Sequence, residues 1–168
     1  MATSREADFD AVFQRGYSSL VRALTAICGD RELAADCVQD AFCKAYARWG
    51  KISRFDQPIA WVRHVALNSI RDDVRHRNRS RRYLPKIAQA DIASPPADPA
   101  GFELVTVLSE LPKQQRVAAA LFYIEQLSVA EIAQAMGLSA GAVKFHLHAA
   151  RENLRIVLAE HDPKRDAG

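Results

Sequence analysis

Apolar residues recur at helical spacing along most of the chain, and no segment alternates apolar and polar positions long enough to predict a strand. A first helix is predicted over about residues 6–27. Its apolar positions are Phe9, Val12, Phe13, Tyr17, Leu20, Val21 and Leu24. Gly29 then interrupts the pattern, and Asp30 is a good N-cap for a second helix that reaches about Arg48. The pattern predicts an all-α protein.

The second predicted helix has an apolar face and an opposite polar face. The apolar positions are Leu33, Ala34, Cys37, Val38, Ala41, Phe42, Ala45 and Tyr46. The polar positions are Asp36, Gln39, Asp40, Lys44 and Arg48. Steps of three and four residues place Asp36, Gln39 and Asp40 on one side of a helix, so we expect an exposed flank there.

A loop is predicted from Gly50 to Asp56, and Pro58 marks the first turn of a third helix that continues to about Arg79. The core positions of this helix are Ile59, Val62, Val65, Ala66 and Ile70, with Trp61 and Asn68 beside them. Further along, Pro95, Pro96 and Pro99 exclude a continuous helix. We therefore expect two small helical domains, residues 1–84 and 102–168, joined by a Pro/Ala-rich linker at 85–101.

The second domain is predicted to end in a helix-turn-helix, after a short helix near residues 102–110 and another that Pro112 opens. Ser128 and Glu131 have the spacing of a capping box, Gly137 suits a left-handed turn residue, and Ser139 can cap the next helix. In DNA-binding proteins this hairpin places its second helix in the major groove. Other helical hairpins carry similar caps, so this segment alone leaves a different role open.

The last helix also has two faces. Its buried stripe is predicted to contain Val143, Leu147, Ala150 and Leu154. The opposite face carries Lys144, Phe145, His148 and Arg151.

Composition and charge restrict the class of protein. Hydrophobic residues make up 49% of the 168 residues, which suffices for packed cores and excludes disorder throughout. The longest apolar run, residues 117–124, is far below the ~20 residues that span a bilayer, and the N-terminus lacks the apolar segment of a signal peptide. We therefore expect a cytoplasmic protein without membrane insertion.

Basic residues are concentrated near the end of the first domain. Residues 71–86 contain seven basic and two acidic side chains, within a chain whose net charge is +3. Such a run fits either a solvated helix end or contact with a polyanion such as nucleic acid.

Cysteine and histidine patterns indicate no metal chemistry. Cys28, Cys37 and Cys43 are odd in number and without CxxC spacing, so we expect no disulfide framework and favour small buried residues over a redox role, with Cys37 and Cys43 on different helix faces. The five histidines form neither an HExxH motif nor a Cys/His set, and no Gly-rich phosphate loop is present. We expect no metal, no cofactor and no catalytic residue.

Three stretches, taken in order, resemble a bacterial RNA polymerase sigma factor of the sigma-70 family, in the extracytoplasmic-function (ECF) group. Residues 36–42 followed by Trp49 are similar to the family's polymerase-binding helix. Residues 58–75 are similar to the helix that handles the −10 strand. Residues 111–116, 127–133 and 141–144 are similar to the −35 domain. The resemblance covers about residues 8–158.

The resemblance implies a role for each candidate residue. The polymerase-binding residues are expected to be Asp36, Gln39, Asp40, Lys44 and Arg48. Single-stranded −10 DNA is expected to meet Arg54, Phe55, Asn68, Arg71 and Arg75. Double-stranded −35 DNA is expected to meet Arg116, Ser139, Gly141, Lys144, Phe145, His148 and Arg151.

Several of these assignments keep an alternative. Phe55 and Trp61 fit a place in the core equally well, and for Trp61 we favour the core. For Arg151, a phosphate contact is favoured over a base contact. His148 could contact DNA or simply be solvated.

The sequence departs from the family pattern at four positions. Ala142 stands where the family usually has Thr, Phe145 and His146 stand where Ser-Arg is common, and Cys37 replaces Leu. Because Phe145 lies on the expected DNA-facing surface, the preferred −35 sequence is expected to be unusual.

The implied protein is not an enzyme. It binds core RNA polymerase, directs transcription from promoters with −35 and −10 elements, and has an anti-sigma factor as a partner. The alternative is a helix-turn-helix regulator that is not a sigma factor, which explains the hairpin but not the patterns at residues 36–49 and 58–75. An enzyme or metalloprotein is a further alternative, which no motif supports.

Overall fold

The computed structural model describes residues 4–81 and 99–160, and every regular element in these two ranges is an α-helix. The helices are α1 (Ser4–Cys28), α2 (Arg31–Ala47), α3 (Trp49–Ile52), α4 (Pro58–Arg81), α5 (Pro99–Ser109), α6 (Lys113–Tyr123), α7 (Val129–Met136) and α8 (Ala140–Glu160). They belong to two compact units, Met1–Ser94 and Pro95–Gly168. The all-α prediction is confirmed, whereas residues 85–98 of the expected linker lie outside the described residues.

In the first unit, α1 and α4 both pack against α2. The core draws on the apolar stripes predicted for these helices, and its completely buried members include Leu20, Leu24, Val38 and Val62. Other predicted positions, Phe9, Val12, Phe13, Tyr17, Leu33, Ile59 and Val65, are only half-buried. Gly16 allows α1 to approach α4 closely, because a Cβ atom at this position would lie 2.5 Å from Cδ1 of Ile59. Burial of these apolar stripes is the main source of stability for helices of this length.

An aromatic cluster fixes the short helix α3 against α1 and α2. The Trp49 side chain is only 2% exposed, and its ring meets the Phe9 ring edge-on at 5.2 Å. Phe42 of α2 contacts both Phe9 and Phe13 in the same way, at 6.1 and 4.9 Å. Edge-to-face pairs of this kind add to the free energy of burial. The segment that leaves α2 is therefore held by ring contacts.

The structure corrects the prediction for residues 50–56. The first part of the predicted loop is helical, because one turn of α3 puts Trp49 and Ile52 on the same side, where both are buried. A turn follows before α4. Helix α5 also begins earlier than expected, at Pro99, since proline suits the first turn of a helix.

Two individual burial predictions were wrong. Tyr46 was placed on the apolar face of the second helix, but it is 52% exposed, with its ring edge against Phe9 and the remainder in solvent. Cys43 is exposed as well, whereas Cys37 is buried and Cys28 is half-buried. The expectation that Cys37 and Cys43 lie on different helix faces is confirmed.

A charged cluster ties the start of α2 to the last part of α4. The Asp30 side chain caps α2 by accepting the Leu33 backbone N–H at 3.0 Å, as predicted. The Arg77 guanidinium donates a hydrogen bond to the Asp30 carboxylate at 3.0 Å and forms an ion pair with the Asp73 carboxylate, with Nε and Oδ2 2.9 Å apart. The Leu33 N–H, followed by Arg77, lowers the pKa of Asp30 below its usual value.

The second unit is built from α5 to α8, and α8 packs against α6, α7 and α5. Its core includes Leu108, Leu121, Ile132, Val143 and Leu147. Across residues 4–81 and 99–160, no helix combines the length and apolar character needed to cross a bilayer.

Candidate nucleic-acid interface

Helices α7 and α8 form the predicted helix-turn-helix, and side chains cap it at each step. The Ser128 hydroxyl accepts the Glu131 N–H at 3.2 Å, and the Glu131 carboxylate accepts the Ser128 N–H at 2.8 Å. Gly137 ends α7 with a φ of 66°, a left-handed conformation that glycine adopts at low cost. The Ser139 hydroxyl then accepts the Ala142 N–H at 3.1 Å at the start of α8. All three capping predictions are confirmed.

Helix α8 separates buried and exposed side chains as its sequence pattern predicted. Val143, Leu147 and Ala150 are buried, and Leu154 is half-buried at the edge of the same stripe. The opposite side, which we call the reading face, is exposed along its whole length. It consists of Gly141, Lys144, Phe145, His148 and Arg151. Arg155 continues this side and lies 3.5 Å from Glu152.

Arg151 is held in place by two aromatic residues of α6. Its Nε donates to the Tyr123 hydroxyl at 3.1 Å, and its guanidinium lies over the Phe122 ring, 5.5 Å from the centroid. The bond to Tyr123 engages only the Nε–H, one of the five N–H donors of a guanidinium. Tyr123 and Phe122 lie on a different helix from Arg151, so no spacing in the sequence predicts these contacts.

Phe145 is the most exposed of the large apolar side chains in the described ranges, at 67%. Its ring meets the neighbouring His146 ring edge-on, with centroids 5.6 Å apart. The ring therefore rests on the helix surface without entering the core.

Arg116, a candidate DNA contact on α6, occupies a different environment. It is half-buried and donates from Nη2 to the Leu111 carbonyl at 2.9 Å. This bond closes the turn between α5 and α6. Ser139 is exposed at the start of α8, where its hydroxyl serves as the cap.

In the first unit, the polar side of α2 is exposed as predicted. We call it the α2 polar flank; it consists of Asp36, Gln39, Asp40, Lys44 and Arg48. The Asp40 carboxylate and the Lys44 ammonium form an ion pair at 2.7 Å, one helical turn apart. Such an exposed pair contributes only about 0.3–0.5 kcal/mol, so the two groups can exchange partners easily.

Helix α4 exposes a polar face opposite its core side. Asn68 and Arg75 are exposed and Arg71 is half-buried, and Asn68 is hydrogen-bonded to His64 at 3.0 Å. Arg79 lies four residues after Arg75 on the same side and is exposed. Arg79 belongs to the basic run of residues 71–86, whereas His64 was missed as a candidate, although its four-residue spacing from Asn68 was visible in the sequence.

The turn between α3 and α4 carries the remaining candidates. Arg54 is exposed and Phe55 is 41% exposed, so Phe55 is not part of the core. Trp61, for which we favoured the core, is half-buried on the first turn of α4. Exposed aromatic and basic side chains in one segment are suited to stacking on bases and holding phosphates.

Two helical units, one ending in a helix-turn-helix with a partly basic exposed face, are typical of a DNA-binding protein. Each unit also matches a known protein family. The family described as Sigma-70 region 2 matches residues 12–80, and the one described as Sigma-70, region 4 matches residues 101–154.

Similar proteins extend over nearly the whole chain. The RNA polymerase sigma-E factor of Streptomyces coelicolor is 32% identical, over 92% of this chain and 88% of that protein. The ECF RNA polymerase sigma factor SigM of Bacillus subtilis is 29% identical, over 87% and 92% respectively. The fold is shared with the sigma factor RpoE of Bartonella quintana, solved in complex with the anti-sigma factor NepR. That chain has a TM-score of 0.73 and 22% identity, with 92% of this chain and 98% of that chain covered. This chain belongs to the sigma-70 family, in its ECF group, and its function is that of a sigma factor, which directs transcription initiation at promoters.

Proposed function

We propose that this sigma factor contacts its targets through three separate surfaces: the α2 polar flank for core RNA polymerase, α4 with the preceding turn for the −10 strand, and the reading face of α8 for the −35 element. In this proposal, residues 1–84 form the region 2 domain and residues 102–168 the region 4 domain. The observation that carries it is the presence of an exposed, partly basic surface on each of two separately packed units.

For the −35 element, the support is the division of α8 into a buried stripe and an exposed reading face. Lys144 and Phe145 lie in the first half of α8, the part of a recognition helix that contacts base edges. Gly141 and Ser139 lie at its N-terminus, where backbone N–H groups favour phosphate. Arg151, anchored by Tyr123, is positioned along the helix for a phosphate rather than a base.

For the −10 element, the support is the combination of Phe55 with the exposed side of α4. Phe55 offers a stacking surface for an unpaired base, and Asn68 offers an amide for its hydrogen-bonding edge. Arg54, Arg71 and Arg75 supply positive charge for the backbone.

For core polymerase, the support is the exposed acidic and amide groups of the α2 polar flank. Asp36, Gln39 and Asp40 share one side of the helix, where they can pair with basic groups of a partner. The protein thus acts by binding, without a catalytic group of its own, in the cytoplasm where bacterial polymerase works. We also propose an anti-sigma factor as a partner; the support is family membership, together with the fold shared with RpoE, which was solved bound to one.

Transcription in a purified system tests the proposed function. Core RNA polymerase plus this protein alone should produce a defined run-off transcript from the DNA upstream of its own gene, and core polymerase alone should not. A helix-turn-helix regulator that is not a sigma factor requires a second sigma factor for any specific transcript. Transcription that depends on such an addition would refute the proposal.

Charge reversal at Asp40 tests the polymerase surface. The Asp40→Lys variant should bind core polymerase at least about tenfold more weakly, since a favourable charge pair is replaced by repulsion. Asp10→Lys is the matched control, because Asp10 is an exposed acidic residue on α1 outside the flank. Equal affinities of the two variants in a fluorescence titration would remove Asp40 from the interface.

A further inference from the structure

The exposed side of α8 has two flanks of different chemistry, one within the reading face and one that extends from Phe145 to Ala142 and Ala149 at its edge. Residues 144, 148 and 151 follow each other at steps of four and three, so Lys144, His148 and Arg151 form a polar flank. Residues 142, 145 and 149 are also spaced three and four apart, and they line up along the helix beside the polar flank. They form an apolar flank in which Ala142 and Ala149 are half-exposed and Phe145 is 67% exposed.

The apolar flank is open to solvent in the unit itself. The fold does not use the Phe145 ring as a core group, since the side chain is 67% exposed and its ring meets that of the neighbouring His146 at 5.6 Å on the helix surface. Removing this apolar surface from water is favourable whenever a partner of suitable chemistry covers it. The two alanines beside it add no hydrogen-bonding side chain.

The chemistry of base edges limits what such a flank can recognise. Guanine, adenine and cytosine present hydrogen-bond donors and acceptors in the major groove, and a phenyl ring can satisfy none of them. Thymine also presents its 5-methyl group, which is apolar and is contacted by Ala and Phe side chains. Phe145 is the sixth residue of α8, which keeps it within the half of the helix that approaches base edges.

We propose that Phe145, flanked by Ala142 and Ala149, determines promoter specificity by reading the 5-methyl group of a thymine in the −35 element. This inference rests on the proposed role of α8 as the −35 reader. The polar flank supplies charge and hydrogen bonds beside Phe145. Because Phe145 contacts a methyl group, the preferred −35 sequence contains a thymine at the position that this ring covers.

Deoxyuridine substitution tests the inference, because uracil differs from thymine only by the methyl group. The holoenzyme, assembled from core polymerase and the full chain, first selects its preferred sequence from DNA with a randomised −35 region. Each thymine of that sequence is then replaced singly by deoxyuridine, and affinity is measured by fluorescence anisotropy. At one or two positions affinity should fall about fourfold, which is ~0.8 kcal/mol for one buried methyl-sized group at an RT of ~0.59 kcal/mol.

Variants connect this loss to the ring. Phe145→Ala should bind the thymine DNA more weakly by at least a similar factor and should no longer distinguish thymine from uracil at that position. Lys144→Ala is the matched control on the neighbouring flank. It should lower affinity for both DNAs equally and keep the fourfold discrimination. Thermal melting shows whether each variant is folded.

Two results would overturn the inference while leaving the sigma function intact. They are equal affinity of the native holoenzyme for thymine and uracil DNA at every position, and discrimination that persists in Phe145→Ala. If that variant keeps its discrimination and binds core polymerase more weakly, Phe145 is a protein contact. Failure of the native holoenzyme to select any DNA sequence is a separate outcome, which removes the proposed function and the inference with it.

Discussion

Arg75 and Arg77 are two residues apart on α4, yet their surroundings differ. Arg77 bonds to Asp30 and Asp73, and the Asp30 hydrogen bond raises the pKa of its guanidinium further. Arg75 is exposed and meets no carboxylate in the described part of the chain. The run of basic residues in the sequence therefore contains both a structural arginine and an accessible one.

Alanine substitutions should separate these roles. Arg75→Ala should reduce the slope of log affinity against log salt concentration by about one unit, because one phosphate contact is lost, and should leave the melting temperature unchanged. Arg77→Ala should leave the salt slope unchanged and destabilise the first unit by about 0.5–1 kcal/mol. A salt slope unaffected by Arg75→Ala would contradict a phosphate contact at this position.

The contribution of the Asp30 cap to the stability of the first unit depends on pH. The pKa of Asp30 is lower in the folded protein than in the unfolded chain, so the ionised group stabilises the fold above the unfolded pKa of about 3.9. This contribution is lost as the pH falls through the lower folded pKa. The stability difference between native protein and Asp30→Ala should therefore be about 1 kcal/mol at pH 7 and shrink below pH 4. Asp30→Asn retains a capping oxygen and should lose less at pH 7; equal losses would show that the cap is not the main contribution.

The three cysteines should differ in reactivity. Cys43 is exposed, whereas burial raises the pKa of Cys28 to about 11 and also raises that of Cys37. Because the thiolate is the reactive form, iodoacetamide at neutral pH should label Cys43 in the native protein and all three residues after denaturation. Peptide mass spectrometry distinguishes the sites, and Cys43→Ser should remove the native label. Rapid native labelling at Cys28 would contradict its burial.

At the scale of elements, α7 has only eight residues and depends on its caps. Gly137 has a positive φ, and a Cβ atom there would meet nothing within 4 Å, so conformation alone opposes a side chain at this position. Gly141 lies in the first turn of α8, where a Cβ atom would come no nearer than 4.0 Å to the Ser139 hydroxyl. The backbone at position 137 therefore favours glycine, whereas the backbone at position 141 accepts a side chain.

Alanine at each glycine should change stability in opposite directions. Gly137→Ala should destabilise the second unit by about 1–2 kcal/mol, the cost of a left-handed conformation with a side chain. Gly141→Ala should stabilise it by up to about 1 kcal/mol through higher helix propensity. Urea unfolding followed by circular dichroism measures both changes. A stabilising Gly137→Ala would show that the turn does not need glycine.

The accuracy of the sequence predictions follows the range of the interactions involved. The caps at Asp30, Ser128 and Ser139 depend on atoms three residues away, so their spacing is visible in the sequence. The Arg77–Asp30 pair spans 47 residues and the Arg151–Tyr123 pair spans 28, and no local pattern encodes either. Helix α3 was missed for the same reason, since its single turn is stabilised by the ring contact of Trp49 with Phe9 of α1 and by packing against α2. The candidate site was predicted best on α2 and α8, where exposure follows from helix periodicity alone.

At the scale of the whole molecule, each unit has its own core. Both tryptophans of the chain, Trp49 and Trp61, belong to the first unit. Tryptophan fluorescence therefore reports the unfolding of that unit, whereas far-ultraviolet circular dichroism reports helices in both. Domains with separate cores generally unfold as separate cooperative units.

Core substitutions should therefore affect the two signals differently. Leu121 is completely buried in the second unit, and Leu121→Ala should cost about 2–5 kcal/mol there. The variant should shift the circular dichroism transition while leaving the midpoint of tryptophan fluorescence unchanged. Leu24→Ala, at a completely buried position of the first unit, should shift the fluorescence midpoint. Equal shifts of both signals in both variants would show that the chain unfolds as one unit.

The separation of the reading face from the core of α8 has an evolutionary consequence. Lys144, Phe145 and His148 are exposed, while the adjacent residues Val143 and Leu147 carry the packing. Surface substitutions of this kind usually change stability by less than about 0.5 kcal/mol. With the proposed role of this face in reading the −35 element, single substitutions on it after gene duplication redirect a copy to a new set of promoters while its fold stays intact, so regulons diverge by steps that selection for folding does not oppose.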